Sequence, residues 1–279
     1  MFLENEIRRI NEACSLNYSF YAGQLNAADF GVPQMRKRVF VVGNRDGLPF
    51  TFPDPTHFSP PESSDRVSSA VKGFSPLHKE SSSWMTSWDA LHDLEIADKH
   101  LLTVRGKWGD LLPSIPEGSN YSYHTDRGPG LQLFGWRTRY WSMLLKLAKS
   151  RPSWTLTAQP GPAIGPFHWE NRRLAPIEMA ALQTFPSEYV IEGSLSDAQR
   201  QLGNAVPSLL AEVLGREIRR QFFGDGVSLE PSLMVSRAPS IPSPSVVKTV
   251  PDKYLDLVKD RPAHPGTGLG PGARNRVAR

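Results

Sequence analysis

The chain has 279 residues, of which 39% are hydrophobic and 22% are charged, and this composition allows one or two domains with a buried core. A single cysteine excludes disulfide bonds within the chain and any cysteine-rich zinc site. The net charge of +4 permits nucleic-acid binding without requiring it, because the local clustering of charge matters more than its sum.

The first segment is predicted to be an amphipathic helix followed by a strand. Apolar residues recur at helical spacing, namely Leu3, Ile7, Ile10 and Cys14. We expect this apolar face to pack on a sheet, with Cys14 as a small buried hydrophobic residue. The alternation of large apolar and smaller residues over 18–22 then predicts the strand.

Residues 25–43 read LNAADFGVPQMRKRVFVVG and form the most informative stretch of the chain. The apolar run 39–42 predicts a buried strand that ends at a Gly-Asn turn signal. If the strand conformation extends back to Gln34, the side chains of Gln34, Arg36 and Arg38 share one face at steps of about 6.6 Å. Such a row can bind carboxylate, carbonyl or phosphate oxygens, although a solvated strand face shows the same pattern.

A second lobe is predicted after this strand. Proline and serine dominate residues 48–80, and aromatic residues are frequent in 81–150. Arginine and aromatic side chains in a polar, glycine-ended loop are typical of DNA contacts, and an ordinary surface role stays open for each residue. The candidate DNA-binding residues are Tyr121, Tyr123, His124, Arg127, Arg137 and Arg139.

The chain then returns to helical patterns. Pro176 is favoured in a first helical turn, and Pro186 is expected to end that helix. Ser196 is a candidate cap for a short helix, and Pro207 opens another. The turn between these two helices exposes backbone N–H groups at a helix N-terminus, a candidate seat for charged groups of a cofactor, although a simple connecting turn is equally consistent with the pattern.

Three stretches resemble, in order, the eighth, ninth and tenth motifs of the DNA (cytosine-5) methyltransferases. They are QMRKR at 34–38, RLAPIEMAALQTFP at 173–186 and QLGNAVP at 201–207. The resemblance covers about residues 6–223. It implies an α/β fold, the C-terminal part of a doubly wound S-adenosylmethionine-dependent methyltransferase domain with a smaller, irregular, β-rich target-recognition lobe.

The resemblance also implies a reaction and its site residues. In this family a methyl group passes from S-adenosyl-L-methionine to cytosine carbon 5 in a specific sequence of double-stranded DNA, as in restriction-modification systems, and no metal is implied. The supporting catalytic residues are Gln34, Arg36 and Arg38, and the cofactor-binding residues are Gly203, Asn204 and Ala205. The variable stretch between the first two motifs corresponds to the target-recognition region.

The first seven family motifs are not identifiable. The family's Pro-Cys pair carries the nucleophile, whereas Cys14 follows Ala13. We therefore expect no activity without a complementary N-terminal chain. Three hypotheses stay open: the C-terminal subunit of a split enzyme, a fragment of a single-chain enzyme, and a non-catalytic DNA-binding remnant. A tRNA substrate is a further alternative in this family, and the long variable region favours DNA.

The predicted domain organisation follows from the motifs and the composition. A partial catalytic domain is expected at 1–49, a target-recognition lobe at 50–150, the rest of the catalytic domain at 151–223 and a disordered tail at 224–279. The chain contains no apolar run of the roughly 18 residues that span a membrane. We expect a cytoplasmic, bacterial protein that associates with the nucleoid through DNA.

Overall fold

The computed structural model describes residues 2–60, 82–134 and 139–258, except 225, 227 and 229. Its α-helices are α1 (Phe2–Cys14), α2 (Ser87–Leu91), α3 (Pro176–Ala181), α4 (Leu195–Asn204) and α5 (Ser208–Phe223). Its strands are β1 (Ser19–Asn26), β2 (Lys37–Asn44), β3 (His57–Phe58) and β4 (Ser82–Ser83). Short 3-10 helices occur at Ala27–Phe30, Lys99–Leu102, Gly109–Ser114, Tyr121–His124 and Asp252–Val258.

Strands β1 and β2 form an antiparallel pair in which Asn26 lies opposite Lys37. Phe40 points towards a core cluster that includes residues of α5. Val39 and Val41, on the other face, are 66% and 52% exposed. The prediction of a buried strand is therefore wrong for one face, because the described residues cover this two-stranded sheet from one side.

Helix α1 forms as predicted, but its packing differs from the prediction. None of its residues is buried, Phe2 is 82% exposed, and Cys14 is exposed rather than buried. The helix is held mainly at its end, where the Asn11 amide and the Tyr18 backbone exchange two hydrogen bonds. The predicted burial fails because no described segment lies against the apolar face.

Three hydrophobic clusters form the core. One lies in the predicted recognition lobe, around Leu111, Leu112, Tyr121 and Leu133. A second joins α2, α3 and α4 through Leu91, Met179 and Leu202. A third joins the segment after β1 to α5 through Phe30, Val32 and Leu210. These clusters link segments far apart in the chain, which places the three motif-bearing stretches side by side.

The described part of residues 50–150, the predicted recognition lobe, is irregular and is not β-rich. Its regular strands there are β3 and β4, of two residues each, which pair in parallel, and the other pairings are isolated bridges. Single helical turns satisfy the backbone instead, as in the bond that Ile115 N–H donates to the Leu112 carbonyl. Short segments separated by proline and glycine favour such turns over strands.

The described strands form a two-stranded antiparallel sheet and a two-stranded parallel sheet, so the doubly wound arrangement stays a prediction. Helix α3 begins at Pro176 and α5 follows Pro207, as expected. The cap of α4 is Ser194 rather than Ser196, and its side chain accepts a bond from Asp197 N–H. No helix among the described residues is long and apolar enough to cross a membrane.

The prediction of a disordered tail is wrong for residues 230–258. Tyr254 is 3% exposed and belongs to the first hydrophobic cluster, with Leu111, Leu112 and Tyr121. Val250 and Leu257 pack against the same cluster. Proline removes backbone donors without preventing apolar side chains from being buried, so a proline-rich segment can pack without regular structure. Residues 259–279 lie outside the described part of the chain.

Candidate active site and DNA-binding cleft

Arg36 connects the eighth and tenth motifs. Its side chain is 2% exposed, and its guanidinium donates hydrogen bonds to the carbonyls of Gly203 and Ala205, both at 2.8 Å, and of Leu156 at 3.4 Å. Its backbone N–H donates to Asn26 Oδ1 at 3.1 Å. This buried guanidinium therefore links the strand-entry segment to the end of α4.

The charge of Arg36 suits this position. Burial, and secondly the charge of Arg38, lowers the pKa of the Arg36 guanidinium to about 10, so the group remains charged at neutral pH. The carbonyls at the C-terminal end of a helix carry partial negative charge, which a cation near them balances. Arg36 thus stabilises the turn between α4 and α5.

The predicted row of three side chains is divided by burial. Gln34 is 0% exposed, its backbone bridges to Ser153, and its amide atoms have no hydrogen-bond partner among the described residues. Arg38 is exposed and donates to the Lys37 carbonyl at 2.7 Å. Ladder pairing of β2 begins at Lys37, and Arg38 lies beyond the segments that cover Arg36. Arg38 is therefore the member of the row with a guanidinium open to a ligand.

The ninth motif is organised by a buried ion pair. Arg172 donates to both carboxylate oxygens of Glu178 at 2.7 Å, and Glu178 also accepts from Ala175 N–H at the start of α3. His168 Nε2 lies 3.5 Å from Glu178 Oε1. Burial lowers the pKa of His168 to about 4 although Glu178 opposes this shift. His168 is therefore neutral at pH 7 and packed, and it is not open to DNA.

The ninth and tenth motifs are bonded to each other. Gln183 Nε2 donates to the Leu202 carbonyl, and Leu209 N–H donates to Thr184 Oγ1 at 2.9 Å. Gly203 lies so close to the chain at Ala158 that an added Cβ would be 2.3 Å from the Ala158 Cα. The three motifs thus form one hydrogen-bonded assembly, which we call the motif unit.

The predicted cofactor residues have different surroundings. Gly203 is buried, Ala205 is half-buried, and the carbonyls of both accept hydrogen bonds from Arg36. Asn204 is the last residue of α4 and is exposed. One exposed side chain does not make a pocket for a molecule as large as S-adenosylmethionine. The described residues can therefore contact one side of this cofactor and do not enclose it.

Two predicted DNA contacts belong to the core instead. Tyr121 is 0% exposed, and its hydroxyl donates to the Arg139 carbonyl at 3.0 Å. His124 is 2% exposed, and its ring nitrogens lie 2.9 Å from Ser114 Oγ and 2.9 Å from the Leu131 carbonyl. The prediction is wrong for both side chains, because their polar atoms hold the irregular lobe together.

The other predicted DNA contacts keep their candidate status. Tyr123 is half-buried with its ring against His124, and Arg127 and Arg139 are exposed. Arg137 lies outside the described residues. Neither of the two exposed arginines forms an ion pair with a carboxylate in the described part of the chain. DNA binding by them stays a prediction.

A depression of about 400 Å³ lies between residues 101–105 of the predicted recognition lobe and the segments at 160–167, 173–174 and 196–199. Arg105 is exposed, Arg173 is half-buried, and neither forms an ion pair with a carboxylate among the described residues. The other residues that line the depression include Thr103, Pro160, Gly161, Pro162, Ser196 and Gln199. No sequence pattern indicates this pair of arginines, because Arg105 lies outside the three motifs and only the tertiary fold brings it to the same depression as Arg173.

Comparison with known proteins agrees with these motifs. The family described as C-5 cytosine-specific DNA methylase matches residues 5–220. The type II methyltransferase M.SacI of Streptomyces achromogenes is 44% identical over 208 residues, which are 71% of this chain and 50% of that protein. The type II methyltransferase M1.HphI of Haemophilus parahaemolyticus is 33% identical over 205 residues, 73% of this chain and 48% of that protein.

A solved structure, the Dnmt2 methyltransferase of S. pombe, is 14% identical with a TM-score of 0.43, over 79% of this chain and 61% of that one. The chain spans about half the length of the curated relatives it matches. The family match extends over all three motifs of the motif unit. The chain therefore belongs to the C-5 cytosine-specific DNA methylase family.

Proposed function

We propose that this chain supplies the target-recognition and motif-unit part of a DNA cytosine-5 methyltransferase, and that methyl transfer requires a complementary polypeptide that carries the cysteine nucleophile. The observation that carries the proposal is the motif unit, in which Arg36 bonds to Gly203 and Ala205. The methyl donor of this family is S-adenosyl-L-methionine. The substrate is a cytosine turned out of a specific DNA sequence, since enzymes reach a base atom only outside the stack.

An uncovered surface supports the need for a complementary polypeptide. Val39 and Val41 on β2 and Phe2 on α1 are 66%, 52% and 82% exposed. Within the described residues, β1 and β2 pair only with each other, which leaves strand edges that another chain segment can extend. Large apolar side chains left exposed in this way are common at protein interfaces. The complementary polypeptide is proposed to cover this face.

The two arginines of the eighth motif are proposed to have different roles in the reaction. Arg38 is proposed to contact the cytosine carbonyl or the complementary chain's acidic catalytic residue, because its guanidinium is exposed and offers planar donors. Such donors act most strongly once the closed site excludes water. Arg36 and Gln34 support the strand that presents Arg38. This chain contributes no thiolate of its own, since Cys14 does not follow a proline.

Methyl transfer is expected only after complementation. The chain alone should give no transfer of tritium from labelled S-adenosylmethionine to DNA. Transfer should appear with a complementary polypeptide, taken from a neighbouring coding sequence or from the half of M.SacI that this chain does not match. Arg38→Ala should then lower turnover at saturating DNA by about 10²- to 10³-fold, the effect of losing one preorganised donor.

Two control variants sharpen this experiment. Lys37→Ala, at the exposed neighbouring position, and Cys14→Ser should leave turnover near normal. Robust turnover by the chain alone that Cys14→Ser abolished would overturn the proposal. The alternative function, a non-catalytic DNA-binding remnant, predicts no transfer in any combination together with intact DNA binding.

The depression between the lobes is proposed to hold the DNA backbone. Arg105→Ala combined with Arg173→Ala should weaken binding of duplex DNA and make its salt dependence shallower, because each phosphate contact contributes about 0.9 to the slope of log K against log salt. Fluorescence anisotropy titrations at several salt concentrations measure this slope. Arg45→Ala, whose guanidinium pairs with Asp46 at 3.6 Å, is the control. An unchanged slope in the double variant would remove both arginines from the DNA interface.

A further inference from the structure

The segment after α5 lies outside the family match but is part of the folded structure. The match ends at residue 220, and the described residues continue to 258. We call residues 230–258 the strap. It runs from α5 past α2 to the core of the recognition lobe. Side chains of α5, of α2 and of the lobe contact it along this course.

The strap begins at an ionised carboxylate on α5. Glu212 accepts hydrogen bonds from Ser232 N–H at 2.8 Å, Ser232 Oγ at 2.7 Å and Leu233 N–H at 3.0 Å, and it pairs with Arg216 at 2.7 Å. Burial acts to raise the pKa of Glu212, but the bonds from Ser232, Arg216 and Leu233 hold it at about 2. This attachment to α5 therefore persists throughout the physiological pH range.

The middle of the strap is attached to α2. Asp89 Oδ1 accepts a bond from Ala238 N–H at 2.9 Å, and Trp88 Nε1 donates to the Ser240 carbonyl at 2.9 Å. Asp89 also completes the capping box of α2. One carboxylate thus both begins the helix and holds the strap.

The next contact is a buried ion pair in the recognition lobe. Lys149 and Glu117 pair with side chains that are 9% and 5% exposed. Ser245 N–H donates to Glu117 Oε1 at 2.8 Å, and Ser245 Oγ accepts from Lys149 Nζ at 3.2 Å. A buried ion pair needs such additional hydrogen bonds to offset its desolvation. The strap therefore completes the surroundings of this pair.

The strap ends inside the hydrophobic core of the recognition lobe. The Tyr254 ring stacks on Trp108 with centroids 5.8 Å apart and planes at 14°. Its hydroxyl donates to the Lys107 carbonyl at 2.7 Å. A buried aromatic ring with a satisfied hydroxyl is a strong anchor, because it combines apolar area with a specific bond. Tyr254 is accordingly the most deeply placed contact of the strap.

We propose that the strap fixes the orientation of the recognition lobe relative to the motif unit, with Tyr254 as the positioning residue. The lobe and the motif-bearing part already touch through the cluster that joins α2 to α3 and α4. The strap adds a further connection, which restricts their relative motion and reduces the conformational entropy lost when both engage one DNA molecule. The consequence for DNA rests on the proposed function. The anchoring of the lobe does not, since it concerns this chain alone.

The anchoring is tested without catalysis. Spin labels at Asp126→Cys in the recognition lobe and Ala211→Cys on α5, in a Cys14→Ser background, report the distance between the two parts by pulsed electron paramagnetic resonance. The distance distribution should be narrow, and Tyr254→Ala should broaden it. Val246→Ala, at a strap position that is 91% exposed, should leave it narrow, and so should Tyr254→Phe, which keeps the stacked ring.

A variant that retains apolar volume guards against simple unfolding. Tyr254→Leu loses the ring stacking and the hydroxyl bond but keeps the core filled, so it replaces the alanine variant if that variant loses its near-ultraviolet tryptophan signal. In the reconstituted enzyme, loosening the strap should raise the KM for DNA several-fold while kcat stays unchanged. Distance distributions that are equally narrow in the Tyr254 variants and in the unaltered chain would overturn the proposal. An unchanged KM for DNA in a variant with a broadened distribution would also overturn it. Absence of methyl transfer contradicts only the proposed function, and the distances still decide on the strap.

Discussion

Replacing Arg36 with alanine is expected to lower the free energy of unfolding of the chain by about 3 kcal/mol or more. The carbonyls of Gly203 and Ala205 would lose their donor in a buried site, and each buried polar group left without a partner costs about 1–3 kcal/mol. Urea unfolding followed by tryptophan fluorescence measures the change. Arg36→Lys should be intermediate, because one ammonium does not reproduce the planar fork of a guanidinium.

The matched control for this result is Arg38→Ala, two residues further along the chain and inside β2. Arg38 is exposed, and among the described residues the hydrogen bond of its guanidinium goes to the neighbouring Lys37 carbonyl. Its removal should change the unfolding free energy by less than about 0.5 kcal/mol. Equal stability of the Arg36 and Arg38 variants would contradict the buried position of Arg36 and return both arginines to one solvated face.

Gly203→Ala should be comparably damaging, with an expected loss of about 3 kcal/mol. The added Cβ would lie 2.3 Å from the Ala158 Cα and 2.4 Å from the Ala158 nitrogen. Both are main-chain atoms, which cannot change rotamer to make room. The main chain at Ala158 and α4 would therefore have to move apart. Overpacking of this kind costs about 1–3 kcal/mol and occasionally more, and a main-chain obstacle places Gly203 at the upper end.

Gly215→Ala is the control for Gly203, because nothing lies within 4 Å of an added Cβ there. Gly215 is inside α5, where alanine is favoured over glycine by about 0.5–1 kcal/mol. The two substitutions should therefore shift the thermal midpoint in opposite directions in a scanning calorimetry experiment. A Gly203→Ala chain of unaltered stability that lost only cofactor affinity would instead make this glycine a cofactor contact.

Several features of the chain follow from local physical chemistry and were readable from the printed sequence. Pro176 is the first residue of α3, where the fixed φ of proline suits a first helical turn, and Pro207 immediately precedes α5. The motifs at 34–38, 173–186 and 201–207 predicted the family. Neighbouring residues alone set these signals, so no knowledge of distant contacts was needed.

Burial, in contrast, depends on contacts between residues far apart in the chain. Arg36 and Arg38 have the same residue type and strand spacing, but only Arg36 meets the end of α4. Tyr121 and His124 are of residue types common in DNA-binding loops, and the fold encloses both. Tyr254 lies in a proline-rich segment, and only its packing against Trp108 and the rest of the first cluster makes it a core residue. Local pattern cannot distinguish such cases, because the free energy of burial comes from partners that the rest of the chain brings into place.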